Sequence, residues 1–382
     1  MSNIVTVEVT EVSPITIYVS DAAIGKGIKG DKGDTGPQGE QGVAGADGNG
    51  TLHGFVRTQP DSLGVLELSI DGSTIYKIDS DGSFSKRTDG MFASGTAFET
   101  VASPRTFAIY PKTTTFTYYR QGVKNVVDTI KLFTSSAVSG YHGVYFGEDG
   151  EVHVSNGFSS DLYLINTYIA GIYYNAIVGD KVVFADERHG ILMSPSTIYH
   201  LHRGIGALPY TGFGIEGATA GATEYVNLSA GVFGDEDIIH TVMEQTNSPF
   251  WYKDGSIWRG VGADLAFGYK TTESVFYNKN TDGLWHLESV ANNNYCLVHF
   301  FVTNDAEYPY VKVLGRAQYD SVTSARVGAK TEVVNLALEG LPSQEFLVAF
   351  TIIINHTGEV VLNDLGTAYI NWLGNYKFPY KV

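Results

Sequence analysis

The 382 residues carry 25 lysines and arginines against 41 aspartates and glutamates, a net charge of −16. So acidic a chain is repelled by phosphate backbones, which argues against nucleic-acid binding, and no run of 18 apolar residues offers a membrane-inserting helix. With 24 tyrosines, 20 phenylalanines and 44 glycines, the composition favours β-structure joined by tight turns.

The first residues have no basic stretch ahead of a long apolar run and are not expected to act as a signal peptide. Residues 3–20 alternate: Val5, Val7 and Val9 fall on one face, and Ile15-Thr16-Ile17-Tyr18-Val19 resumes the pattern beyond Pro14. The period of two predicts one or two strands. Strands without partners accept others by edge pairing, so residues 1–24 are expected to anchor the chain to another protein or to form a small trimeric cap.

Residues 25–50 hold the strongest signal. Gly27, Gly30, Gly33, Gly36, Gly39, Gly42, Gly45 and Gly48 fall three residues apart without a slip. Three polyproline-like chains wound together need glycine at every third position, because only glycine fits at the crowded axis. The run therefore predicts a parallel homotrimer with a stalk of roughly 70 Å at about 3 Å per residue. Pro37 is its single proline, so rigidity from imino acids is scarce. Lys29-Gly30-Asp31 and Lys32-Gly33-Asp34 supply pairs between chains, each worth about 0.2–1 kcal/mol.

Residues 51–100 read as a β-hairpin segment: apolar alternation over 65–70, the turn Asp71-Gly72, a second run over 74–78 and the turn Asp81-Gly82. Residues 101–247 read as a β-rich middle domain, with strands over 113–119 and 142–146 and a turn at Glu148-Asp149-Gly150. Residues 248–382 read as a β-rich distal domain, with hairpins over 250–258 and 277–285 and strands over 297–302, 346–354 and 360–362. One helix is predicted over 321–338, where Val322, Ala325, Ala329, Val333 and Leu336 form a stripe ended by Gly340 and Pro342. The lone cysteine, Cys296, lies in an apolar run and is expected to be a buried free thiol. A chain needing no disulfide suits assembly in a bacterial cytoplasm.

Three groups of residues resemble the collagen-stalked fibre proteins of tailed bacteriophages. The stalk with its β tip is the first. Phe184-Ala185-Asp186-Glu187-Arg188-His189-Gly190-Ile191, followed by Ser196-Thr197 and Tyr199-His200-Leu201-His202-Arg203, is the second. The third is Val298-His299-Phe300-Phe301-Val302-Thr303-Asn304-Asp305 with Tyr308-Pro309, Leu314-Gly315 and Gly340-Leu341-Pro342-Ser343-Gln344-Glu345-Phe346. The histidine that usually follows threonine in such proteins is displaced to His200. The resemblance implies a mainly β, elongated homotrimeric fibre of the virion, held on the tail or capsid through residues 1–24. Its distal domains would attach to a bacterial surface glycan or protein; a structural decoration fibre of the capsid and a glycan-degrading tailspike are the other readings.

Three constellations bear on chemistry. Asp186, Glu187, Arg188 and His189 form the densest charged cluster, which is read as a salt-bridged turn between strands, since no nucleophile motif accompanies it. No enzyme is expected, and no cofactor except one: in a strand His200 and His202 would share a face, and three such pairs on a trimer axis would present six imidazoles to a metal ion. Trp251, Tyr252, Trp258 and Trp285 are candidates for stacking on sugar rings, against the more usual fate of filling a core.

Overall fold

A computed structural model of the chain describes residues 3–7, 15–19, 66–69, 75–78, 84–86, 90–91, 96–103 and, apart from single positions, 105–373. The Gly-X-Y run at 25–50, with Gly27, Gly30, Gly33, Gly36, Gly39, Gly42, Gly45 and Gly48, lies outside the described residues. Among the described residues there are 28 strands and three helices, so the class is mainly β. The chain divides into two compact units, Met1–Arg87 and Thr88–Val382.

In the first unit, the alternating segments on either side of Pro14 are the strands Asn3–Val7 and Ile15–Val19. They pair with each other as an antiparallel hairpin, Val5 opposite Ile17, so each strand has one of its two edges paired within this sheet. Leu66–Ser69, Ile75–Ile78 and Phe84–Lys86 form an antiparallel meander, with the Asp71-Gly72 and Asp81-Gly82 signals between its strands.

The second unit is organised by a six-stranded sheet. Its order is Ile257–Asp264, Ser248–Asp254, Tyr310–Tyr319, Tyr295–Thr303, Phe346–Asn355, Tyr369–Asn371. The pairing of Ser248–Asp254 with Tyr310–Tyr319 is parallel and the others are antiparallel. Both faces are covered, which is why the central strands are apolar at nearly every position rather than alternating. One face buries Val298, Phe300, Val302, Tyr310 and Ile352. The other buries Leu297, Phe301, Val311 and Val313 beneath a helix.

The three helices among the described residues are α1 (Asp161–Leu164), α2 (Pro195–Gly204) and α3 (Val322–Leu338). α3 coincides with the predicted helix, and Ala325, Ala329, Val333 and Leu336 are fully buried against the sheet. Beyond the Phe346–Asn355 strand, the strand expected at 360–362 reduces to one isolated bridge, Ile354 to Val360. Cys296 is a buried free thiol, and burial raises its pKa.

Two smaller sheets lead to the site. Val152–Val154, Gly140–Phe146, Thr167–Asn175 and Asp180–Asp186 form a four-stranded antiparallel sheet. Leu208–Gly212, Gly231–Asp235 and Ile238–Val242 form a three-stranded one. Residues on both sides of position 248 share one core, in which Tyr173, Val183 and Ala185 pack with Trp251, Trp258 and Phe301.

Candidate metal centre

The Asp180–Asp186 strand runs directly into Glu187-Arg188-His189-Gly190. Arg188 closes the turn: its guanidinium donates to both oxygens of Asp186 at 2.8 and 2.7 Å, and its backbone N–H donates to Asp186 Oδ1. The salt-bridged turn expected of this segment is therefore present. The His189 carbonyl accepts from the Met91 N–H at 2.7 Å, and Gly90 lies flat on it. A Cβ at Gly90 would meet His189 O at 2.6 Å and the backbone φ is +138°, so only glycine allows this approach.

With its backbone fixed in this way, His189 projects inward, 4% exposed. Its Nδ1 bonds Asp237 Oδ1 at 2.8 Å. Its Nε2 lies 3.6 Å from Glu187 Oε2 and 3.9 Å from Glu236 Oε2, and makes no hydrogen bond of ordinary geometry. Glu187 is itself held from two sides. Asn304 Nδ2 donates to its Oε1 at 3.0 Å, and the Tyr163 hydroxyl donates to its Oε2 at 3.3 Å. Asn304 in turn accepts from Ser343 Oγ at 2.9 Å.

Asp235, Glu236 and Asp237 come from one tight hairpin, in which Asp235 faces Ile238 across a two-residue turn. Glu236 sits at φ +46°, a left-handed conformation that costs a non-glycine residue about 1 kcal/mol or more. The turn thereby directs three consecutive carboxylates toward the protein interior instead of solvent. Asp235 is fully buried, and both of its carboxylate oxygens, like both of Glu236, lack hydrogen-bond partners. His240 Nε2 approaches Asp235 Oδ2 at 3.6 Å.

His202 and Glu345 complete the cluster. His202 is buried on the last turn of α2, stacked on Phe158 at 5.5 Å between centroids, with its Nδ1 paired to the Glu345 carboxylate. Five carboxylates and three imidazoles thus meet in one buried volume. Glu187, His189 and Asp235 bring one ligand atom each within 4.8 Å of one another, and His202, Glu236 and Glu345 do the same. Beside them opens a cleft of about 570 Å³ whose lining includes Arg188, His240 and Asn304.

The electrostatics follow from crowding in a low dielectric. Burial, then the neighbouring Asp235, pushes Glu236 far above the usual carboxylate range, and burial raises Glu187 as well. Burial would lower His189, but the Asp237 and Glu187 carboxylates outweigh it and raise the imidazole to about 10. Burial lowers His202 to about 4. Asp235 is lowered, because contacts with Glu236 and His240 outweigh its burial. Such opposed shifts in one volume are what coupled, incompletely compensated charges produce.

The chain matches no family model, no curated protein and no solved structure. The site accordingly stands on its geometry. The segments quoted for the resemblance converge on it: Glu187 and His189, His202, Asn304, and Ser343 with Glu345.

The other predicted site residues lie elsewhere or differently. His200 and His202 are on a helix, not a strand. Ser194 caps its N-terminus by accepting from the Thr197 N–H at 3.2 Å, and Pro195 opens its first turn. Residues i and i+2 then point roughly 200° apart, so His202 is buried while His200 is exposed, and the two do not share a face for one ion. Trp251, Tyr252 and Trp258 are 1%, 5% and 1% exposed. Their strands lie within the six-stranded sheet with both faces covered, so these rings are core and do not present a stacking surface. Trp285 is partly exposed, and the Arg316 guanidinium covers one face at 3.7 Å. Asp235, Glu236 and Asp237 escaped the sequence reading. The available signal was Gly234-Asp235-Glu236-Asp237 between the apolar pairs Val232-Phe233 and Ile238-Ile239, which marks a hairpin turn but does not reveal that the turn is buried.

Proposed function

We propose that the chain is a trimeric bacteriophage fibre whose Thr88–Val382 unit is displayed on a collagen-like stalk and attaches the virion to a bacterial surface. The observation that carries this reading is the unbroken run of eight glycines at period three ahead of a β-rich compact unit. A lone polyproline-like strand has no internal hydrogen bonds and gains its order only from two companions.

A second feature supports self-association. Val123, Val126, Ile130, Leu132 and Val138 are each at least 55% exposed within a 16-residue stretch of one chain. Such aliphatic surface is the kind that neighbouring copies cover. Three linked heads also multiply weak contacts with a repeating surface glycan or protein, raising avidity without new chemistry. Residues 1–24 serve as the virion anchor in this reading, and the distal unit carries no catalytic role.

The test has two readouts. Sedimentation equilibrium of the purified chain should return three 41.4 kDa subunits, and the purified trimer should adsorb to host cells and compete with phage for them. A trimer that neither adsorbs nor competes would replace attachment by a decoration role on the capsid. A monomer would remove the fibre reading itself.

A further inference from the structure

We propose that His189 Nε2, together with Glu187, Asp235 and Glu236, forms a buried site for one divalent first-row transition-metal ion of the zinc class in each chain. The inference is independent of the fibre reading, since the residues lie within a single chain.

The first argument is the arrangement around His189. A metal-binding imidazole characteristically donates its other ring N–H to a carboxylate, which fixes the tautomer and the ring plane. Here Asp237 takes that role at Nδ1, at 2.8 Å, and turns Nε2 toward three carboxylates. Tetrahedral nitrogen and oxygen ligands with bonds of about 2.0–2.1 Å lie about 3.3 Å from one another. Glu187 Oε2 and Glu236 Oε2 stand 3.6 and 3.9 Å from Nε2, and an Asp235 oxygen lies within 4.8 Å, so a shell closes by side-chain movements on the order of an ångström or less.

The second argument is the unmet polarity. His189 Nε2, both Asp235 oxygens and both Glu236 oxygens are buried without hydrogen-bond partners. Leaving one such group unsatisfied costs about 1–3 kcal/mol, more when it is charged. Three of the four proposed ligands thus contribute orphaned atoms, beside others on the surrounding Asp237 and His240, and the strained φ of Glu236 is what brings its carboxylate there. By contrast, Glu187 Oε1 is occupied by Asn304 and Nδ1 of His189 by Asp237, which are supporting contacts and not ligands. His202 pairs through Nδ1 with the Glu345 carboxylate and the Tyr163 hydroxyl, so these two residues border the site on the Glu236 side.

The third argument is the donor set. One imidazole with three carboxylates favours zinc, iron or manganese over calcium and magnesium, which take oxygen ligands alone. The cleft lined by Arg188, His240 and Asn304 is the side nearest solvent, since His240 approaches Asp235 and Asn304 bonds Glu187. Binding displaces to solvent the protons held on Nε2 and on the Glu236 carboxyl, since both groups bind a metal deprotonated.

The test uses the full-length chain stripped with chelator and dialysed into metal-free buffer. Zinc is added and the retained metal is measured by mass spectrometry and calorimetry, with cobalt as a spectroscopic probe. About one zinc per chain is expected, with an unfolding temperature that rises on loading, and calcium in excess should not displace it. His189→Gln and Asp235→Asn should weaken zinc binding at least 100-fold, and Asp237→Asn about 10- to 100-fold. His200→Ala, exposed on the same helix as His202, should bind as the wild type does. Glu236→Gln removes a ligand without changing size and serves if the other variants fail to fold, with circular dichroism confirming the fold. A folded wild-type chain that retains no zinc, or a His189→Gln chain that binds it with unchanged affinity, overturns the proposal. Displacement by calcium overturns the transition-metal assignment.

Discussion

Lys312 shows how a single buried charge records its surroundings. Its ammonium is wholly covered, donates to the Asp264 carbonyl, Asp264 Oδ1 and the Ala266 carbonyl at 2.8–2.9 Å, and lies 3.9 Å from the centre of the Phe250 ring. Burial lowers its pKa from 10.5 to about 8, only partly offset by Asp264 and Glu224. Between those two values the unfolded chain holds a proton that the folded chain has released, so stability rises with pH across that window, and the penalty for burying the cation is fully present below it. The shift corresponds to roughly 3 kcal/mol. Denaturant unfolding at pH 7.5 and pH 10 should show wild type gaining on Lys312→Met by about 2 kcal/mol of that shift; an unchanged difference would mean that the amine stays protonated throughout. Glu236 is the complementary case. In the metal-free chain it holds a buried carboxyl group without hydrogen bonds on a left-handed backbone, so Glu236→Gly should stabilise that form by about 1–2 kcal/mol. Equal or lower stability of the variant would show that this side chain supports the fold instead of burdening it.

At the scale of elements, α3 is tied to the large sheet by one carboxylate. Glu332 accepts from His299 Nε2 at 3.1 Å, the Arg316 N–H at 2.7 Å and the Tyr319 hydroxyl at 2.7 Å. The chain of donors fixes the tautomer: Trp372 Nε1 donates to Thr351 Oγ1, Thr351 donates to His299 Nδ1, and His299 Nε2–H faces Glu332. Glu332→Ala would leave a buried imidazole, a backbone N–H and a phenol unsatisfied, for a loss of about 2–4 kcal/mol by chemical denaturation; a loss under 1 kcal/mol would mean that water replaces the carboxylate. This helix was legible in the sequence because its apolar stripe, Val322 to Leu336, is a local signal with a period of its own. α2 carried equally local signals, the Ser194 cap and Pro195 at the first turn, but the two-residue spacing of His200 and His202 imitates a strand. The fate of Trp251 and Trp258 was not local at all. Whether a strand ring is core or surface depends on what covers the sheet, and here the cover arrives from α3 and from the Thr167–Asn175 and Asp180–Asp186 strands. The buried carboxylate and imidazole cluster is the extreme of this: its residues come from five separate segments, and the quoted motifs hold four of them while the Asp235–Asp237 turn went unmarked.

At the scale of the whole molecule, the triple helix proposed for residues 25–50 would be the element least able to stand alone. Its 26 residues hold one proline, so the stiffness that usually pre-orders each strand is nearly absent, and the Lys-Gly-Asp pairs are individually weak and screened by salt. In the proposed trimer the entropy of bringing three chains together would have to be met elsewhere, by contacts between copies of the flanking units that raise the local concentration of the strands and set their register. Two outcomes follow. A peptide spanning 25–50 should be monomeric and uncooperative on heating at 25 °C and above, while the full chain sediments as a trimer. Within the full trimer, Gly36→Ala should lower the melting of the collagen-like signal and open the stalk to collagenase, yet leave the unfolding of the Thr88–Val382 unit unchanged. A peptide that trimerises unaided would show that the stalk drives assembly. A Gly36→Ala chain with an unaltered stalk would mean that the period of three does not encode a triple helix.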